Sequence, residues 1–256
     1  MQYLGGKSRI SRRISEVIQY EVSRRKITNC ETNRGEDSRT HVLGGGQCLV
    51  SLFCGTCSVE SKLASYFDKL ILNDKHEYLI AMLKAAQSGY EFPDAISREE
   101  YHYIKDHKAE NPALTGFVGF GCSFGGKFFG GYARNKTGTN YAAQSKRSLL
   151  KDMENLTRAE FTCLDYRAVE LPHGCIVYCD PPYDGTTGYS VGKFDSAEFW
   201  EYMREISKDH LVFISEQTAP SDFVEIWSKP FTRTIDVNKN NQIKATEKLF
   251  IHEIWR

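Results

Sequence analysis

The residues of this chain best suited to chemistry stand together in Ile176 to Gly185, "IVYCDPPYDG". A short apolar run ends there in an acid, two prolines and a tyrosine. Pro181 and Pro182 lack N–H donors and have a fixed φ, so they form a stiff corner with bare carbonyls. Asp180 and the Pro181 carbonyl then make a pair of acceptors with no donor. Such a pair complements an NH2 group, and Tyr183 adds a flat face for a ring to stack on. The exocyclic amine of a purine or pyrimidine is a poor nucleophile, because its lone pair is delocalised into the ring. Two acceptors gripping its hydrogens favour the pyramidal form and aim the lone pair at an electrophile. The expected chemistry is attack by a heteroaromatic amine.

That corner lies at a ligand site only if Ile176–Cys179 is a parallel strand, whose carboxyl end opens on the crevice of an α/β sheet. The flanking sequence has the required rhythm. Short apolar runs at 48–53, 69–74, 160–165, 175–180 and 211–216 read as buried strands. Helical patterns surround Val59, Leu63 and Ala64, then Leu79, Ile80, Met82 and Leu83, then Glu198–Ser207. Residues 9–25 place Ile10, Ile14, Val17 and Ile18 on one helical face, and 28–47 is polar, Gly-rich and loop-like. The C-terminal stretch reads as two strands around a polar turn near 238–242. The expected fold is an α/β, Rossmann-like, doubly wound and mostly parallel sheet with a C-terminal antiparallel hairpin. An insert interrupts it, dividing the chain into 1–84, 85–159 and 160–256.

Two further motifs fit a nucleoside ligand. In "LFCGTCS" a glycine follows the first strand directly, which permits a tight turn and close backbone approach. Asp74 lies 19 residues past Gly55, where an acid can accept hydrogen bonds from ribose hydroxyls or else cap the next helix. The opening "YLGGKSR" sets Lys7 just ahead of a helix, suited to holding a carboxylate or to an ordinary N-terminal turn.

The insert is aromatic, Gly-rich and basic. Between Lys127 and Lys151 there are six basic residues and no acidic one, although the whole chain balances 33 Lys+Arg against 33 Asp+Glu. Lys127, Arg134, Lys136, Lys146 and Arg147 are candidates to neutralise phosphates, and Arg134 or Asn135 to read a base edge. A solvated basic surface over a small aromatic core is the plainer alternative. Eight irregularly spaced cysteines and no secretory leader suggest reduced thiols in the cytoplasm, with no bilayer-spanning run. Cys54-x-x-Cys57 and Cys175-x3-Cys179 are expected to be small core residues, not metal ligands.

In their order, "YLGGK", "LFCGTCS", "ND", the insert and "CDPPY" resemble the Dam-type adenine-N6 DNA methyltransferases of bacteria and phages, over nearly the whole chain. The resemblance implies methyl transfer from S-adenosyl-L-methionine to N6 of a flipped adenine in double-stranded DNA, without a metal. It implies cofactor contacts from Tyr3, Gly6, Lys7, Phe53, Gly55, Asp74, Asp165 and Asp180. The methionine end falls to Lys7, the ribose to Asp74 and the cofactor adenine to Asp165. It implies a target-base pocket from Asp180, Pro181, Pro182 and Tyr183, and target recognition by residues 85–159. A cognate restriction enzyme is an optional partner; localisation is the bacterial cytoplasm, or the host cell's if phage-encoded. One departure matters: the pattern asks for glycine where this chain has Cys57, so a left-handed backbone there would be strained. Cytosine N4, RNA adenine and protein glutamine remain alternative amines. A silent DNA-binding module and a nicotinamide oxidoreductase remain alternative classes, the last disfavoured by the incomplete Gly-x-Gly-x-x-Gly turn.

Overall fold

The apolar runs form strands in a computed structural model that describes residues 1, 3, 6–32, 47–135, 137–182, 194–234 and 242–256. The first five are β1 (Cys48–Ser51), β2 (Lys69–Asn73), β3 (Ala159–Thr162), β4 (Ile176–Cys179) and β5 (Leu211–Glu216). All pair in parallel, with Val50 of β1 beside Ile71 of β2 on one side and Val177 of β4 on the other. Two long strands, β6 (Phe223–Thr234) and β7 (Gln242–His252), complete the order β3-β2-β1-β4-β5-β7-β6. Strand β7 runs antiparallel to both neighbours. The expected hairpin is present, and its turn lies outside the described residues. The order of the strands reverses between β1 and β4, so loops leaving those two carboxyl ends diverge and open a crevice.

Because strand side chains alternate, each sheet face builds its own apolar layer. Leu49, Leu70, Ile176, Tyr178 and Phe213 face one cluster, with Ile14, Ile18 and Val22 of helix α1 (Ser11–Thr32). Val50, Val177, Cys179 and Ile214 face the other, against Phe199, Trp200 and Met203 of α7 (Ser196–Ile206). Helix α1 runs through Thr32, into the stretch read as a loop; the remainder of that stretch lies outside the described residues. The helix after β1 is short, α2 (Glu60–Leu63) continued by one 3-10 turn, whereas α3 (Glu77–Gln87) is long.

The insert folds as α4 (Arg98–Asp106), α5 (Pro112–Gly121) and α6 (Tyr141–Met153). Local signals explain their starts: Ser97 and Glu100 form a reciprocal capping box on α4, while Asn111 caps α5 with Pro112 in its first turn. At Gly116 a Cβ would stand 2.0 Å from the Tyr78 carbonyl, so α5 and α3 meet backbone to backbone. The aromatic rings of the insert, Phe92, Tyr101, Phe117 and Phe120, join the same cluster as Leu49 and Ile176 of the sheet. The three helices thus share the core that the sheet buries.

Asn73, at the end of β2, ties the crevice loops together. Its amide nitrogen donates to the Leu52 and Leu164 carbonyls, both at 3.1 Å. Its oxygen accepts from the Leu164 N–H and the Thr162 hydroxyl, both at 2.9 Å. The side chain is 1% exposed, so its loss strands polar groups away from water. Asn73→Ala is expected to lower unfolding free energy by about 3 kcal/mol or more in urea titrations, given roughly 1–3 kcal/mol per orphaned group. A loss under about 1 kcal/mol would show that the loops do not depend on it.

Candidate active site

The crevice above β1 and β4 is one continuous cleft. It is lined by the N-terminal Tyr3 and Lys7, the Phe53–Gly55 loop, Asp74, Asp165 and Tyr166, and Asp180 with Pro182. Sequence motifs separated by more than a hundred residues therefore meet in one place. Tyr183 lies outside the described residues, as does Lys136.

Asp180 directly follows β4 and is held by Lys7, whose Nζ lies 2.7 Å from Oδ1. The same ammonium lies 3.4 Å from Glu247 Oε1 on β7. Lys7 is 6% exposed and Glu247 2%. Lysine was expected to hold a ligand's carboxylate; here the carboxylates it holds belong to the protein. Two more acids crowd the same region. Burial pushes the Glu60 carboxyl up to about 7, with the Asp180 charge adding to it and a 2.6 Å bond from the Ser51 hydroxyl opposing it. Burial likewise pushes Glu216, at the end of β5, up to about 7, where Asp180 raises it further and Lys7 lowers it.

The loop after β1 makes its turn with Gly55 at φ +51° and Cys57 at φ +57°. Cys57 does stand in the left-handed region, where an L-residue is strained by about 1–2 kcal/mol. A Cβ on Gly55 would lie 3.2 Å from the Tyr3 ring, so glycine also lets Tyr3 close over the loop. Asp74 accepts from the Gly55 N–H at 3.1 Å and the His76 N–H at 2.9 Å. Burial nevertheless raises its carboxyl to about 6, against those hydrogen bonds. The cap of α3 is His76, whose Nδ1 accepts from the Leu79 N–H, so Asp74 is a loop-bracing residue at the cleft and not the helix cap. His76 is buried, and burial lowers its ring to about 4.

On the far wall, Phe53, Tyr166 and Phe194 form a ring cluster, with centroids 5.2 Å apart for Phe53–Tyr166 and 6.0 Å for Phe53–Phe194. Asp165 lies beside it, bound by Arg167 at 2.8 Å and Lys75 at 3.1 Å, and the Arg167 guanidinium holds its carboxyl well below the usual range. Among the described residues, no group of three or more His, Cys, Asp or Glu is arranged to hold a metal ion. No described helix is long and apolar enough to cross a membrane.

The insert's basic candidates divide. Lys127, Arg134 and Arg147 are exposed. Lys146 is instead held on Asp94 at 3.1 Å and Glu91 at 3.8 Å, acids from outside the one-signed stretch. Asn135 closes a turn, donating to the Thr139 hydroxyl at 2.6 Å and accepting the Thr139 N–H at 2.9 Å. Sequence reasoning passed over Glu60, Glu247, Asn73, Tyr166 and Phe194. Glu247 carried a legible signal: it alternates in phase with Leu249 and Ile251, so an acid occupied an inward position.

Glu60 has a testable consequence. Its folded-state value near 7 lies above the ordinary 4.5, so the folded protein binds the proton more tightly than the unfolded chain. The associated stability is complete below pH 4.5 and lost as pH rises through 7. Glu60→Gln, a neutral isostere, is expected to match the parent at pH 4.5 and exceed it by about 3 kcal/mol at pH 8 in urea titrations. A difference that stays constant with pH would contradict this.

Three solved structures are similar to the chain at low identity and low TM-score. A tRNA (m1A58) methyltransferase from Aquifex aeolicus is 10% identical, with 80% of this chain and 62% of that one covered and a TM-score of 0.36. A proposed RNA methyltransferase of Pyrococcus horikoshii is 10% identical over 82% and 74% of the chains, TM-score 0.37. A proposed methylase of Haemophilus influenzae is 12% identical over 82% and 88%, TM-score 0.34. No curated protein matches the sequence. The family model of the D12 class N6 adenine-specific DNA methyltransferases matches residues 3–114 and 122–243, nearly the whole chain. The protein belongs to that family of adenine-specific DNA methyltransferases.

Proposed function

We propose that the protein transfers a methyl group from S-adenosyl-L-methionine to N6 of an adenine flipped out of double-stranded DNA. The observation that carries the reading is that Asp180, just after β4, and the hydrogen-bonded Gly55 and Asp74 face one cleft at the switch point of the sheet. The residues present fit the donor: a glycine turn closed by Tyr3, a braced acid at Asp74 and an aromatic wall of Phe53, Tyr166 and Phe194. When bound, S-adenosyl-L-methionine would supply an electrophilic sulfonium methyl: the N–C bond would form as the S–C bond breaks, the thioether S-adenosylhomocysteine would leave, and the amine's surplus proton would pass to Asp180 or water.

The protein's part is to hold and shape the amine. Asp180 and the Pro181 carbonyl accept its hydrogens and favour the pyramidal form, with Pro182 fixing the corner and Tyr183 stacking on the base. Lys7 keeps Asp180 in position, and Tyr3 with Gly6 lines the junction between the two subsites. Phe53 and Asp165 flank the adenine end of the donor, and Asp74 its ribose. Residues 85–159 form the target-recognition part, where exposed Lys127, Arg134 and Arg147 neutralise phosphates. Opening the duplex is necessary because N6 lies inside it.

The test is direct. Unmethylated duplex DNA is incubated with the protein and methyl-labelled S-adenosyl-L-methionine, digested to nucleosides and resolved, and the modified sites are sequenced. Label is expected in N6-methyldeoxyadenosine; label in N4-methyldeoxycytidine, or in RNA alone, overturns the assignment. Asp180→Ala is expected to lose transfer by about a hundredfold or more while cofactor binding persists by calorimetry. Unchanged turnover in that variant would refute the role given to Asp180.

A further inference from the structure

Most of the acids that line the main cleft have partners within the protein. Asp180 lies on Lys7, and Asp165 on Arg167 and Lys75. Glu198 pairs with Arg167, and Asp195 caps α7 by accepting the Ala197 and Glu198 N–H groups. Asp74 accepts two backbone N–H groups. Glu60 differs. It lines the same cleft yet is 2% exposed, and among the described residues it forms no ion pair. Its side-chain donor is the Ser51 hydroxyl at 2.6 Å, helped by the backbone N–H groups of Val59 and of Glu60 itself. The titratable groups that feel its charge include Asp180, Tyr178, Cys54 and Cys57, and none of those is a cation. A carboxylate in that setting is costly, and a cation bound beside it in the cleft offsets the cost.

The topology decides which part of a donor comes near it. On the carboxyl edge, Asp165 lies beyond β3, Asp74 follows β2 and Asp180 follows β4, while the strands run β3-β2-β1-β4. A donor with its adenine by Asp165 and its ribose at Asp74 therefore carries its amino-acid end over β1 and β4. Glu60 stands there. Its partner Ser51 is the last residue of β1 and lies opposite Tyr178 of β4, two residues before Asp180. Lys7, the residue expected to hold the donor's carboxylate, is engaged by Asp180 and Glu247. The amino-acid end of S-adenosyl-L-methionine also bears an α-ammonium, whose N–H donors and full charge complement a buried carboxylate.

Resting on the reading of the cleft as the S-adenosyl-L-methionine site, we infer that Glu60 is the counter-ion of the donor's α-ammonium. It anchors the amino-acid end above the junction of β1 and β4, and with it the sulfonium methyl beside Asp180. The Ser51 hydroxyl holds the carboxylate in place from below.

The test measures binding to the whole protein at pH 8 by calorimetry, for S-adenosyl-L-methionine, S-adenosylhomocysteine and methylthioadenosine. The first carries sulfonium and ammonium, the second the ammonium alone, the third neither. Glu60→Gln keeps the size of the side chain and is expected to be more stable than the parent at that pH, so lost binding is not lost fold. The variant is expected to bind the first two ligands about tenfold or more weakly, and methylthioadenosine as tightly as the parent does. Equal losses for all three would make Glu60 a structural prop of the cleft. A loss confined to S-adenosyl-L-methionine would put it at the sulfonium. Either result, or unchanged affinity for all three, overturns the inference and leaves the methyltransferase reading intact, because the parent still binds the donor. A parent protein that binds none of the three would overturn both.

Discussion

The ammonium of Lys7 sits out of water between the carboxylates of Asp180 and Glu247, and the cleft is organised around that contact. The three residues come from the start of the chain, the end of β4 and the middle of β7. An ion buried in this way is expensive to desolvate, by several kcal/mol, and is tolerated only when its partners are held in place. The parallel sheet and its antiparallel hairpin do the holding. Nearby Glu60 and Glu216 add two further carboxyls to those of Asp180 and Glu247, and burial raises both of them to about 7.

The other half of the cleft depends on hydrogen bonds and backbone shape. Asn73 ties the ends of the β1, β2 and β3 loops, while Asp74 braces the Gly55 turn. Cys57 occupies a left-handed conformation that glycine would adopt without strain. It is fully buried with Cys54 beneath the turn, so its side chain contributes packing that glycine lacks. Strain in the loop and burial of the thiol are opposing terms of similar size, about 1 kcal/mol each.

The insert shows why a run of charge in a sequence is not yet a charged surface. Six basic residues without an acid read as a single patch. In the fold, Glu91 and Asp94 reach Lys146, and Asn135 is used by its own turn. Among the described residues, what remains exposed is narrower: Lys127, Arg134, Arg147 and Lys151, with Phe124 standing out from the core that its neighbours complete.

Much of the architecture was legible before folding. Apolar runs of strand length alternating with helical patterns specified a parallel sheet, and a strand ending in Asp-Pro-Pro marked an edge of the cleft, because both are set by local periodicity and local stereochemistry. The motifs' order carried the family in the same way. Only the tertiary structure decided which groups neutralise one another: Lys7 with Glu247, Lys146 with Asp94, Asp165 with Lys75 and Arg167. It also made His76 a buried cap and pointed Phe124 outward while burying Phe129. Such pairings depend on distances between residues far apart in the chain. Spacing along a sequence does not encode those distances until the sheet has set them.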